Sequence, residues 1–139
     1  MPRFALDTNV LSEPLKPKPN AQVMRKLEDN ASSLAIPAPV WHELLYGAAR
    51  LSSSKRKRLI EDYLHSVLKP SMEILPYDVD AAAWHAEARA ALARQGKTPA
   101  FVDGQIAAVA ATHRLALVTA NMKDFVVFPH LQVVDWRKS

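Results

Sequence analysis

The sequence predicts an α/β domain built on a mostly parallel sheet with helices on both faces. Short apolar runs bounded by turn residues alternate with longer stretches whose apolar residues recur at helical spacing. The first run, Phe4-Ala5-Leu6, passes directly into Asp7-Thr8-Asn9. A strand this early in the chain is expected mid-sheet, with later strands flanking it. Asp7 then stands at a carboxyl end, the edge where open α/β sheets bind ligands. Asp7 has a second reading as the N-cap of a following helix, because Asp, Thr and Asn all cap well. On this stretch alone the two readings weigh about equally.

Composition sets the outer bounds. The 139 residues make one domain, 1–139, long enough to bury a core. With 49% hydrophobic and 23% charged residues, the chain has ordinary globular composition. It has no cysteine, which excludes disulfides, thiol catalysis and thiolate-held metals. No apolar run is long enough for a membrane span and no signal-peptide pattern opens the chain, so a cytoplasmic location is expected. A net charge of +4 favours anionic partners, nucleic acid first.

The elements follow in order. Val10 to Leu15 allows one helical turn before Pro17 and Pro19 interrupt. Asn20 caps a helix through about Glu28, with Val23, Met24 and Leu27 at helical spacing. Ser33 to Ile36 is a strand, ended by prolines. Pro39 suits the first turn of a helix over Val40 to Leu51, with Trp41, Leu44, Leu45 and Ala48 on its apolar face. Ser52-Ser53-Ser54 turns a corner and caps a second helix, Lys55 to Leu68. Leu59, Ile60, Tyr63, Leu64 and Val67 are its expected inward residues, and the pair reads as a helical hairpin. Met72 to Leu75 is a strand, closed by Pro76. Asp78 or Asp80 caps an alanine-rich helix through Arg94, stopped at Gly96. Phe101 to His113 is a helix apolar almost all round, and therefore buried. Leu115 to Thr119 is a strand running into Ala120-Asn121. Met122 to Phe125 forms one turn, and Gln132 to Val134 a last short strand. The sheet is expected to hold four to five strands.

Function is sought among acids placed where an acid is costly. Glu43 shares its helix face with Val40, Leu44 and Gly47, so its carboxylate is partly desolvated. Asp103 opens an otherwise apolar helix, where the dipole favours negative charge. Gly104 follows it, and a glycine within a helix costs about 1 kcal/mol against alanine, which points to a close approach by backbone or ligand. The exit of the Leu115–Thr119 strand again places polar groups where a buried strand ends, so that Asn121 or Asp124 can reach the same edge as Asp7, against the plainer reading of turn and cap chemistry. Acids converging there repel and hold their protons more tightly unless a cation neutralises them. Magnesium does so with one or two carboxylates, keeping other positions for water and substrate phosphate. The chemistry implied is metal-assisted hydrolysis of a phosphodiester.

These stretches resemble the PIN-domain ribonucleases of the VapC toxin type, from type II toxin–antitoxin systems. The resemblance covers essentially the whole chain. It rests on Leu6-Asp7-Thr8-Asn9, on Trp41-His42-Glu43-Leu44-Leu45-Tyr46-Gly47, on Asp103-Gly104-Gln105-Ile106-Ala107-Ala108, and on Leu117-Val118-Thr119-Ala120-Asn121-Met122-Lys123-Asp124-Phe125. It implies a three-layer α/β/α fold, RNA cleavage dependent on magnesium (or manganese), and inhibition by a cognate VapB-type antitoxin; a homodimer is a separate expectation. Asp7 and Asp103 match the metal-binding acids and Glu43 the third acid of the catalytic cluster. Thr8, Asn9 and Thr119 match supporting polar positions. The departure is Asn121, where many PIN domains carry Asp. An amide brings no negative charge, and Asp124, three residues on, is placed to substitute.

Arg50 with Lys55-Arg56-Lys57-Arg58 forms a candidate phosphate-contacting patch for RNA, against the plainer reading of a solvated helix face. The histidines show no zinc-site spacing, and Trp41, Trp84 and Trp136 are read as core or interface residues. Two other functions compete. A haloacid-dehalogenase-type phosphatase also opens on a strand ending in Asp, but normally has a second acid two residues on, where this chain has Asn9. A non-catalytic PIN-like binding module would account for Asn121 as a sign of decay.

Overall fold

A computed structural model of the chain describes residues 1–138. Five strands, β1 (Phe4–Leu6), β2 (Leu34–Pro37), β3 (Glu73–Leu75), β4 (Ala116–Val118) and β5 (Val133–Val134), form one sheet in the order β3-β2-β1-β4-β5. Every pairing is parallel. β1 is central as expected, with Ala5 opposite Ala35 on one side and Leu117 on the other. Strands covered on both faces need no alternation, and every residue of β2 and β4 is buried.

The helices are α1 (Thr8–Leu11), α2 (Ala21–Asp29), α3 (Ala38–Ala49), α4 (Lys55–Asp62), α5 (Lys69–Ser71), α6 (Val79–Arg94), α7 (Phe101–Thr112) and α8 (Met122–Phe125). Their caps are the polar residues the sequence offers: the Asn20 carboxamide accepts from Gln22 and Val23 N–H, Ser54 from Lys57, and Asp78 from Ala81. α7 packs between α6 and the sheet and buries Ile106 to Ala110 on all sides. Among the described residues no helix is long and apolar enough to cross a membrane.

The second helix of the hairpin departs from expectation. Between α4 and α5 the backbone widens into a π-helical turn over Tyr63–Leu68, with Lys69 N–H donating to the Leu64 carbonyl five residues back. Pro70 explains it, because proline has no N–H and its ring clashes with the carbonyl four residues earlier. Each residue of the wider turn advances less than the roughly 100° of an α-helix. Val67 therefore rotates outward and Leu68 inward: Val67 is 51% exposed and Leu68 3%. Leu59, expected inside, is also exposed, because it precedes Ile60 by one helical step on the outer side.

Candidate active site

The order in which the strands are laid down fixes where a ligand can sit. β2 and β3 add to one side of β1, and the chain then returns to place β4 on the other. The carboxyl ends of β1 and β4 lie side by side at that switch point, the place where open α/β sheets form a ligand crevice. Asp7 leaves β1 into it and Thr119 leaves β4.

Asp7 is buried and held by a small polar network. Its Oδ1 accepts from Thr8 N–H at 2.8 Å, which makes it the N-cap of α1. Its Oδ2 accepts from the Thr119 hydroxyl at 2.8 Å and the Asn9 amide at 3.3 Å. Both sequence readings of Asp7 therefore hold, since it caps α1 and also stands at the crevice. Asn9 Oδ1 accepts from Ala120 N–H at 3.0 Å, which stitches the two loops together, and Thr119 Oγ1 accepts from Asn121 N–H at 3.0 Å within the loop after β4. Burial nevertheless raises the Asp7 pKa, against the pull of these hydrogen bonds.

Three more acids share this electrostatic environment. Glu43, from α3, accepts a long hydrogen bond from the Thr8 hydroxyl at 3.5 Å. Burial and then the Asp7 charge raise its pKa. Asp103, in the first turn of α7, is pushed up to about 6 by burial and then by the charges of Asp124, Asp7 and Glu43. Asp124, on α8, is solvent-exposed and adds its charge to both Asp7 and Asp103. Among the described residues, none of the four is in an ion pair. Glu13 makes the contrast plain. It is as buried as Asp7, yet its carboxylate accepts from Asn20 N–H at 2.8 Å and pairs with Lys16 at 3.1 Å. These partners hold its pKa below the usual range. Glu13 is an acid with a basic partner, whereas among the described residues the crevice acids have none.

The other expected residues divide. Asn121 is exposed and its side chain makes no cap bond to α8, so the fourth negative charge at this edge is that of Asp124. Arg50 and Arg56 line a groove of about 800 Å³ that begins at Thr8 and Glu43. Lys57 turns back instead, its ammonium donating to the Ala49 and Leu51 carbonyls at 3.4 and 3.3 Å. It closes the corner between α3 and α4. Lys55 and Arg58 are exposed and do not line the groove.

Gly104 answers a close approach, but by a side chain rather than backbone or ligand. A Cβ at this position would lie 2.1 Å from Nε2 of His85. His85, on α6, is buried, its Nδ1 2.9 Å from the Tyr77 hydroxyl and its ring 4.8 Å from that of Phe101. Burial, and then the Arg89 charge, lowers its pKa. Sequence reasoning missed His85 as a support of the site; the signal was the helical glycine beside Asp103.

The donor set fits a hard divalent cation. The crevice offers carboxylate, hydroxyl and amide oxygens, no sulfur, and excess negative charge without a basic partner. Among the described residues no three acids or histidines gather tightly enough to cage an ion alone. Magnesium does not need such a cage, because it is held by one or two carboxylates and keeps several waters.

A parallel-sheet domain with acids gathered at its switch point is the architecture of the PIN domain family, and the chain belongs to that family, whose PIN domain description matches residues 4–129. Among its relatives, it is 37% identical over 123 residues to Toxin FitB of Neisseria gonorrhoeae, covering 86% of this chain and 88% of that one. It is 31% identical over 137 residues to the tRNA(fMet)-specific endonuclease VapC of Salmonella typhimurium, covering 98% and 99%. The crystal structure of FitAcB from Neisseria gonorrhoeae superposes with a TM-score of 0.90 at 33% identity, covering 98% of this chain and 99% of that one.

Proposed function

We propose that this chain is a magnesium-dependent endoribonuclease and the toxin of a toxin–antitoxin pair. The observation that carries the reading is the gathering of Asp7, Glu43, Asp103 and Asp124 at one sheet edge without a basic partner, with proton affinity raised on the first three. Function is argued from that site, since fold alone does not imply it. The relatives' names, toxin and endonuclease, point the same way.

Asp7 and Asp103 would hold the metal, which when bound lowers the pKa of a coordinated water and neutralises phosphate charge. The chain's own groups do the rest. Thr119 and Asn9 fix the Asp7 carboxylate so that its orientation survives without metal. Glu43, with its raised proton affinity, accepts a proton from the attacking water at a carboxylate oxygen. Arg50 and Arg56 supply positive charge along the groove for the RNA backbone. The partner would be a VapB-type antitoxin, by the same kinship.

The test is cleavage of a structured RNA with magnesium, with magnesium plus EDTA, and with manganese. Cutting that EDTA abolishes and either metal restores is expected. Cutting indifferent to chelation, or phosphate released from small esters without RNA cleavage, would overturn the reading.

A further inference from the structure

α3 carries a glycine that the fold does not use. Gly47 lies within α3, outside the left-handed region of backbone space. A Cβ built there meets nothing within 4 Å. No turn and no packing neighbour requires glycine, yet at a helical position it costs about 1 kcal/mol against alanine. The bare backbone opens into the groove that begins at Glu43. Glycine is used where a ligand must come close to the main chain.

The groups around it suit a nucleotide. Tyr46 is 62% exposed, high for an aromatic residue. Its ring is parallel to that of His42, with centroids 6.4 Å apart. The Arg50 guanidinium carbon lies 6.0 Å from the Tyr46 ring centroid. Glu43, Tyr46, Gly47 and Arg50 are spaced by three, four and seven residues, so they share one face of α3. At 1.5 Å per residue, Tyr46 lies about 4.5 Å and Arg50 about 10 Å beyond Glu43 along the axis. A carboxylate of the cleavage site, a flat aromatic face, a bare stretch of backbone and a cation thus follow one another along the groove. Arg56, from α4, and Lys16, which pairs with Glu13, add further cations to its lining.

We propose that this face of α3 is a binding subsite for the nucleotide of single-stranded RNA next to the scissile phosphate. The base stacks on Tyr46, the sugar passes over the open backbone at Gly47, and Arg50 takes the next phosphate. The proposal rests on the ribonuclease reading and names where that substrate lies. Stacking on an aromatic face tolerates any base, so the subsite positions the strand without choosing its sequence. A peptide of a protein partner is the competing occupant. Arg50, Arg56 and an exposed aromatic ring on the same groove favour the anionic, stacking ligand.

The experiment measures anisotropy of a short fluorescent single-stranded RNA on the full chain in EDTA, so that nothing is cut. Tyr46→Ala is expected to weaken binding about tenfold, and Tyr46→Trp to preserve it. Gly47→Leu is expected to weaken binding while raising the unfolding temperature, opposite signs that a purely structural role does not give. A 2-aminopurine in the RNA should be quenched by wild type and less so by Tyr46→Ala. Equal RNA affinity in wild type and Tyr46→Ala overturns the proposal, as does a wild type that does not bind the RNA. Loss of affinity for an antitoxin tail peptide with RNA affinity unchanged also overturns it, and gives the groove to the protein partner. Failure of the ribonuclease reading looks different: the wild type binds the RNA in EDTA yet cuts none of it in magnesium.

Discussion

Gly104 on α7 and Gly47 on α3 both accompany an acid of the crevice, and they are kept for opposite reasons. At Gly104 the missing side chain is replaced from within, by the buried imidazole of His85. At Gly47 nothing replaces it. One notch is part of the core and holds the first turn of α7, and with it Asp103, in place. The other faces outward, beside the partly buried Glu43. A helical glycine thus reports a close neighbour, but only the packing around it says whether that neighbour belongs to the fold or must arrive from solution.

The largest effect tests what the filled notch is for. Asp103→Asn should lower RNA cleavage by more than about a hundredfold, since even outer-shell partners of a metal cost 10–100-fold. Its metal-free unfolding temperature should stay level or rise, because a charge that burial and its neighbours disfavour is gone. Wild-type cleavage rates in this variant would detach Asp103 from the chemistry.

Gly104→Ala should destabilise the protein by about 1–3 kcal/mol through overpacking against His85, read as a lower denaturant midpoint. Adding His85→Ala should return part of that loss, since the two sites are in contact. Additive losses in the double variant would show that the notch and the ring are not a unit.

A pH titration separates the acids from the packing. The folded-state pKa of Asp103, about 6, lies above its ordinary 3.8. The metal-free folded state therefore binds the proton more tightly than the unfolded chain. Its contribution to stability falls as pH rises from about 4 to about 6 and is constant above that window. Thermal melts in EDTA across that range should show this slope in wild type and a shallower one in Asp103→Asn. Stability from this group that rises through the window would contradict the sign.

The smallest effect is at the open notch. Gly47→Ala should raise stability by about 0.5–1 kcal/mol, the helix-propensity difference, visible as a small increase in midpoint. A decrease would mean that the space beside Gly47 is occupied in the folded chain.

Much of this was legible in the sequence because the signals are local. Strands ending in turn residues, caps at Asn20, Ser54 and Asp78, and the apolar helix behind Asp103 depend on a few neighbours along the chain. The acids were legible because each breaks a local hydrophobic pattern. What escaped depends on three-dimensional neighbours. His85 meets Gly104 from another helix, so no spacing in the sequence announces it. The burial of Glu13 is set by a loop that folds back to Asn20. Lys57 is drawn from the basic run by carbonyls at the end of α3. The outward turn of Val67 had a local cause in Pro70, but its effect is a change of helical phase that a uniform period does not register.

The hydrogen bond between Thr119 and Asp7 spans 112 residues of chain. Closing so long a loop costs about 4 kcal/mol in its length-dependent part, and contacts of this separation form late in folding. A polypeptide still growing on the ribosome, with β4 not yet made, has Asp7 without Thr119 and without the Asn9–Ala120 stitch. The polar network that holds the Asp7 carboxylate is therefore incomplete until β4 and the loop after it have formed.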